Sequence, residues 1–218
     1  MKTPETGEIA ILNLAAEGNY AINTPFSRFV KRLMDIIMAL LMIVFIAPWL
    51  FTLVIVVIVL DSRGGPFFLQ KRTGRNRKTF SCLKFRTMVI NKESHRIQVQ
   101  VNDRRITRVG GFLRKYHIDE LPQVFNVLAG SMSIVGPRPH MLRQNIVFAR
   151  MSENYHFRHL VKPGMTGLAQ VRGFHGMIHG TEDYHSRLNS DLEYIQKWSP
   201  FSDLLIFIQT TIQILFQR

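Results

Sequence analysis

LMDIIMALLMIVFIAPWLFTLVIVVIVL, residues 33–60, carries one charge, Asp35, and is otherwise almost wholly apolar. Water-soluble cores rarely need such a run, so a membrane helix is the first reading. A straight helix of this length would reach roughly 40 Å, against a hydrocarbon layer of ~30 Å. Pro48 interrupts it, because proline lacks the backbone donor and its ring clashes with the preceding turn. The break leaves arms of roughly 22 and 18 Å, each too short to cross alone and together suited to entering and leaving by one face. Charge points the same way. Arg28, Lys31 and Arg32 precede the run, and Arg63, Lys71, Arg72, Arg75, Arg77 and Lys78 follow it. The positive-inside tendency cannot satisfy both flanks if one is translocated, whereas a hairpin keeps both in the cytosol. Proline kinks also occur in true spans, so on these residues a spanning and a re-entrant segment both stay open.

Outward from this run, the 218-residue chain is 46% hydrophobic and has the material for one ordinary domain. Its net charge of +13 calls for a polyanionic partner: nucleic acid, anionic lipid headgroups or nucleotide phosphates. Nucleic acid is the poorest of these, since no nucleic-acid motif accompanies the charge and a membrane segment already supplies a partner. Cys82 is the single cysteine, so no internal disulfide exists, and no Cys or His run has zinc-ligand spacing. A reducing, cytosol-facing setting fits. Residues 1–27 lack the basic and apolar regions of a signal peptide and read as a polar lead-in. The expected divisions are this lead-in at 1–27, a membrane hairpin at 28–61 and a cytosolic domain at 62–218.

From Ser62 to Met88 there are eight basic residues, Lys84 and Arg86 among them, and no acidic one. Such a stretch seeks phosphate, or else lies as a solvated basic edge against lipid headgroups. Runs at 66–72 and 79–88 have strand composition around a Thr73-Gly74-Arg75-Asn76 turn, which predicts a β-hairpin. Further on, Arg114 precedes Asp119-Glu120-Leu121-Pro122 by five residues, and a helix is expected to start near Asp119 and stop at Gly130. Asp119 and Glu120 then have two readings: a helix cap with favourable charge, or a functional pair in which adjacent carboxylates share a divalent cation. The helix N-terminus and Arg114 would favour ionised Asp119, and Glu120 would oppose it until a cation binds. Gly136-Pro137-Arg138-Pro139 is a stiff loop that fixes one guanidinium, and Lys162-Pro163-Gly164-Met165-Thr166-Gly167 reads as a rigid turn matching no known nucleotide loop. Asp191-Leu192-Glu193-Tyr194 lies in a mixed segment. Phe201 to Phe216 is an apolar stretch suited to the membrane interface or to packing on the domain.

Taken in order, these segments resemble the bacterial sugar transferase family, the monotopic polyprenyl-phosphate phosphoglycosyl transferases. The likeness runs from about Phe29 to Phe216. It rests on the proline-broken hairpin, Gln70-Lys71-Arg72-Thr73-Gly74, Lys84-Phe85-Arg86-Thr87-Met88, the Arg114 to Gln123 stretch, Ser133 to Pro139, Lys162 to Val171 and Asp191 to Ile195. Any one of these is weak, and the ordered set is specific. The resemblance implies an α+β, mainly helical fold: a re-entrant helix-break-helix, then a small cytosolic domain with a short β-hairpin and interfacial amphipathic helices. It implies transfer of a sugar-1-phosphate from a UDP-sugar to polyprenyl phosphate at the bacterial inner membrane, with magnesium. By residue, it implies Asp119 as nucleophile and Glu120 as its metal-binding partner. It also implies substrate contacts at Arg114, Lys84, Arg86, Pro137, Arg138 and Pro139, a further acidic site residue at Asp191, and the membrane break at Pro48. Ala47 departs from the serine that many members carry before this proline. The Arg172-Gly173-Phe174-His175-Gly176 loop is more like members that transfer glucose- or galactose-phosphate. With only 27 polar residues ahead of the hairpin, the chain reads as a catalytic core; a homodimer is left open.

A non-catalytic, membrane-anchored basic scaffold for glycan-assembly enzymes would explain the charge and the hairpin but not the Asp-Glu pair beside Arg114. An ordinary glycosyl transferase would call for an Asp-x-Asp motif, which the sequence lacks.

Overall fold

The computed structural model describes residues 20–90, 103–174, 176, 178 and 180–216; the lead-in at 1–19 and His175 of the 172–176 loop lie outside them. Helix α1, Pro25–Phe45, starts where Thr24 accepts a hydrogen bond from the Ser27 backbone N–H and Pro25 occupies the first turn, a position with no partner for its missing donor. Helix α2, Ala47–Asp61, follows a one-residue break at Ile46, and the two helices meet at a bend of 63°. Pro48 therefore sits in the first turn of α2 rather than at the break. Its ring excludes the turn before it, and the chain yields there. The first arm, 21 residues and about 31 Å, is longer than the apolar run suggests because α1 begins eight residues before Leu33. No single helix among the described residues is long and apolar enough to cross a membrane; α1 and α2 are so only as a bent pair.

The rest is mainly helical with two small sheets. Strands β1, Phe67–Thr73, and β2, Thr79–Phe85, pair antiparallel with Phe67 opposite Phe85 and Thr73 opposite Thr79. A single helical turn at Arg75–Arg77 links them, with Asn76 and Arg77 at positive φ. Helix α3 is Arg108–Lys115, α4 is Gln123–Leu128, α5 is Leu142–Met151 and α6 is Leu168–Val171. Two longer helices close the chain, α7 at Gly180–Lys197 and α8 at Pro200–Leu215. Strand β3, Ser133–Val135, pairs in parallel with β4, Gly164–Thr166, so the supposed rigid turn at 162–167 holds a strand. The close approach requires Gly164: a Cβ there would meet the Gly136 nitrogen at 2.1 Å.

The bent α1–α2 pair is bolted to this domain rather than hung from it. On α2, Phe51, Val54 and Ile58 recur at helical spacing and are buried. Phe51 meets Phe85 of β2 edge-to-face at 5.1 Å and Phe125 of α4 at 6.0 Å. On α1, Asp35 accepts from the Ser133 hydroxyl at 2.7 Å and the Ile134 N–H at 2.9 Å. Lys31 lies 3.3 Å from Asp35 and donates at 2.6 Å to Asp203 of α8, which also accepts from the Tyr194 hydroxyl. Arg32 donates to the Val127 and Leu128 carbonyls at the end of α4. The opposite faces are bare. Trp49 and Leu60 of α2 and Phe201 and Leu215 of α8 are all more than 65% exposed.

Asp203 is 1% exposed, and leaving Lys31 without it strands part of a buried charge. Asp203→Ala is expected to destabilise the chain by about 3 kcal/mol in thermal or denaturant unfolding. The double variant Lys31→Met, Asp203→Leu should lose less than the sum of its single changes, because it removes both ions together.

Candidate active site

The Asp-Glu pair does not cap a helix. His117 takes a left-handed backbone, φ 56 and ψ 17, and the chain makes a single helical turn at Ile118–Glu120 before α4 starts behind Pro122. A non-glycine residue in that region is uncommon, and here it delivers both carboxylates to one cavity. Gly130, at φ +81, follows the end of α4 as expected.

The cavity, about 470 Å³, is lined by Lys84, Arg86, Arg114, Asp119, Glu120, Arg138 and Pro139 among others. Glu120 is clamped between cations. Arg138 reaches both of its carboxylate oxygens, at 2.5 and 2.9 Å, and Lys84 donates to Oε1 at 2.6 Å. Burial alone would raise the Glu120 pKa, but the charges and hydrogen bonds of Arg138 and Lys84 outweigh it and hold the group well below the usual carboxylate range. Asp119 is 7% exposed and lies beside this charge. Burial, then the negative Glu120, push its pKa up to about 6 against the pull of Lys84, Arg114 and Arg138. Arg114 pulls toward the ionised form and Glu120 against it, as expected, and burial decides the net direction. The environments of the two adjacent carboxylates thus push their pKa values apart, Glu120 down and Asp119 up to about 6, the pattern of a carboxylate pair with divided roles.

Arg114 reaches the cavity from α3, where its Nε donates to the Thr87 hydroxyl at 2.7 Å. Gly110 allows this docking, because a Cβ there would meet the Thr87 carbonyl oxygen at 2.0 Å. Arg86 has another task than phosphate binding. Its guanidinium donates to Ser62 Oγ and to the carbonyls of Ser62, Arg63, Gly64 and Gly65, which occupies all five N–H bonds. It ties the exit of α2 to β2. Asp191 does not line the cavity. It is buried and accepts from Arg158 at 2.7 and 3.0 Å, and Arg158 in turn donates to the Arg138 carbonyl at 2.8 Å and to His140 Nδ1 at 3.0 Å. Burial and the charge of Arg158 keep His140 neutral. Asp191 is therefore a positioning residue two steps removed, holding the loop that aims Arg138. Pro137 is likewise structural, its carbonyl accepting from Gly164 at 3.0 Å.

Three cavity residues escaped the sequence reading. Arg72 donates to the Pro139 carbonyl at 3.0 Å and to Gln70. His140 follows the Gly-Pro-Arg-Pro loop. Arg187 of α7 is 6% exposed, and its Nε and Nη2 atoms lack a hydrogen-bond acceptor among the described residues. The repeat from Arg187 to Asp191, one helical turn, was the available signal for it.

For a metal, Glu120 Oε1 already accepts twice and Oε2 once, which leaves one lone pair on Oε2 and the Asp119 oxygens. Among the described residues no three His, Cys, Asp or Glu side chains converge. This set fits magnesium, which takes one or two carboxylates and completes its shell from substrate phosphate and water.

An acid with a raised folded-state pKa binds its proton more tightly folded than unfolded, so its ionisation costs stability as pH rises from about 4 to about 6. Asp119→Asn lacks that cost. It is expected to be more stable than the parent by on the order of 2 kcal/mol above pH 7, with the difference vanishing near pH 4 in unfolding curves.

The sequence profile described as bacterial sugar transferase matches residues 26–217. A Xanthomonas campestris pv. campestris protein named UDP-glucose:undecaprenyl-phosphate glucose-1-phosphate transferase is 40% identical over 98% of this chain and 44% of its own length. The protein of the same name from Escherichia coli K12 is 43% identical over 86% of the chain and 41% of its own length. An Aeromonas hydrophila UDP-N-acetylgalactosamine-undecaprenyl-phosphate N-acetylgalactosaminephosphotransferase is 42% identical over 86% and 44%. The chain spans less than half the length of these relatives. Because the match covers every element that builds the cavity, the chain belongs to the bacterial sugar transferase family.

Proposed function

We propose that the chain moves a sugar-1-phosphate from a UDP-sugar to polyprenyl phosphate through a covalent intermediate on Asp119. The observation that carries this reading is the state of the carboxylate pair. Glu120 is neutralised by Arg138 and Lys84, so Asp119 can ionise near neutral pH while facing a cavity rich in cations. An Asp119 oxygen attacks the β-phosphorus of the donor. The bond from that phosphorus to the bridging oxygen breaks, and UMP leaves with the electron pair. A phosphate oxygen of the lipid then attacks the same phosphorus, breaking the acyl-phosphate bond and returning the carboxylate. Arg114, Arg138 and Lys84 hold the phosphates and offset the charge that spreads over them. Magnesium, when bound at Asp119 and Glu120, supplies further neutralisation of the pyrophosphate.

The setting is the bacterial inner membrane, with the domain on the cytoplasmic face and the bent α1–α2 pair entering and leaving by that face. The exposed apolar surfaces of α2 and α8 support it, since large bare patches mark membrane or protein contact. The sugar is a hexose on the strength of the 172–176 loop. Overall similarity carries no weight here, because relatives of like identity are named for glucose and for N-acetylgalactosamine. The product lipid would enter exopolysaccharide, capsule or O-antigen type synthesis.

Incubating the protein with a UDP-sugar and magnesium, without lipid acceptor, should release UMP and leave an adduct on Asp119 whose mass is that of a hexose phosphate. Excess chelator should suppress it. Asp119→Asn should form none while staying folded; an active Asp119→Asn protein, or an adduct on another residue, would remove the mechanism, and an N-acetylhexosamine mass would remove the sugar assignment.

Topology has its own test in single cysteines placed near Arg28 and Arg63 in a Cys82-free background. Both should be labelled from the cytoplasmic side alone, and labelling from opposite sides would mean a spanning pair.

A further inference from the structure

A second cavity, of about 170 Å³, lies at the base of α1 and shares no residue with the first. Arg28, Lys31, Arg32, Arg75 and Lys162 line it, with Asp35 as the only carboxylate. The residues of the proposed reaction leave it unused. Not all of its cations are satisfied within the fold. Lys31 serves Asp35 and Asp203, Arg32 serves the end of α4, and Arg28 donates to Asn23. Lys162 and the Arg75 side chain have no acceptor among the described residues, and Arg75 Nε is fully buried. Arg32 and Lys162 converge over Gly130: an ideal Cβ there would lie 3.7 Å from Arg32 Nη2 and 3.7 Å from Lys162 Nζ. Burial, then the nearby Arg32, lower the Lys162 pKa, with Arg75 and Lys31 adding to that effect and Asp35 opposing it. Five cations gathered around a single carboxylate are a standing cost, and a bound phosphate would offset it.

We propose that this cavity binds a phosphate ester, and that its occupant is the headgroup phosphate of an anionic membrane lipid. Position selects the lipid over a soluble phosphate. The cavity is built from the last basic turns of α1 before the apolar run, and on those turns Phe26 and Phe29 stand 75% and 64% exposed. Arg75 and Lys162 come from the β1–β2 turn and the β4 approach, so one headgroup would bridge the hairpin and the domain. The choice of lipid rests on the membrane reading above; the phosphate chemistry does not.

The test uses the full chain in a neutral detergent, with native mass spectrometry counting lipids retained from equal phosphatidylglycerol and phosphatidylcholine. One phosphatidylglycerol per chain should be held in preference. Lys162→Gln and Arg75→Gln should each lower that retention roughly tenfold, the worth of one charge-assisted hydrogen bond. Lys162→Arg should keep it. Lys71→Gln, which removes an equal charge from an exposed position on β1, should leave it unchanged. No headgroup preference, or equal loss in Lys71→Gln, overturns the site. Displacement of the lipid by millimolar inorganic phosphate overturns the lipid assignment in favour of a soluble anion. Pelleting the same proteins with membranes separates this from topology: Lys162→Gln should still pellet through its hairpin, and a parent chain that fails to pellet refutes the membrane reading without altering the count in detergent.

Discussion

The burial of Asp35 organises this molecule. A carboxylate in the middle of an apolar helix is tolerable only if hydrogen bonds and a counter-charge meet it, and here Ser133, the Ile134 N–H and Lys31 do so. Those partners belong to β3 and to α1 itself, and Lys31 extends the network to Asp203 on α8. The hairpin, the inner sheet and the last helix are therefore held in one register. Such networks are expensive to desolvate and are worth more for specifying one arrangement than for net stability. The arrangement matters because β3 runs straight into the loop that carries Arg138.

From there the structure reads as a chain of aimed charges. Asp191 fixes Arg158, Arg158 fixes the Arg138 carbonyl and His140, and Arg138 fixes Glu120. The links from Arg158 to Asp191 and His140 are buried and those through Arg138 partly so, and burial makes the first pair stronger than it would be in water and more costly to break. The result is an asymmetric carboxylate pair. Arg138 and Lys84 hold Glu120 well below the usual carboxylate range, and burial beside that charge raises Asp119 to about 6. The left-handed turn at His117 brings both carboxylates to one cavity, where burial and the neighbouring charges split them.

Three groups of cations around the two cavities have different physics. Arg86 and Arg32 are structural, their donors absorbed by backbone carbonyls at the ends of α2 and α4. Lys84, Arg138 and Arg114 face the cavity of the carboxylate pair. Arg75 and Lys162 face a separate basic cavity at the foot of α1.

Composition and order alone determined the apolar run, the break forced by a proline, the β-hairpin around Gly74 and the family to which the chain belongs. These are local or collinear properties: backbone sterics at Pro48, strand-type composition on either side of a turn in β1 and β2, and motifs read in series. The adjacency of Asp119 and Glu120, five residues after Arg114, was legible for the same reason. What each basic or acidic residue does was not, because that depends on which carbonyls and charges stand opposite it after folding. Arg86 and Arg138 are equivalent as letters, and only tertiary packing sends one to five backbone and hydroxyl oxygens and the other to Glu120. Asp191 reads as a site carboxylate until Arg158, 33 residues away, is found against it. The pKa split of the carboxylate pair arises likewise from burial and from cations contributed by β2 and by the loop after β3, neighbours that no spacing along the chain reveals.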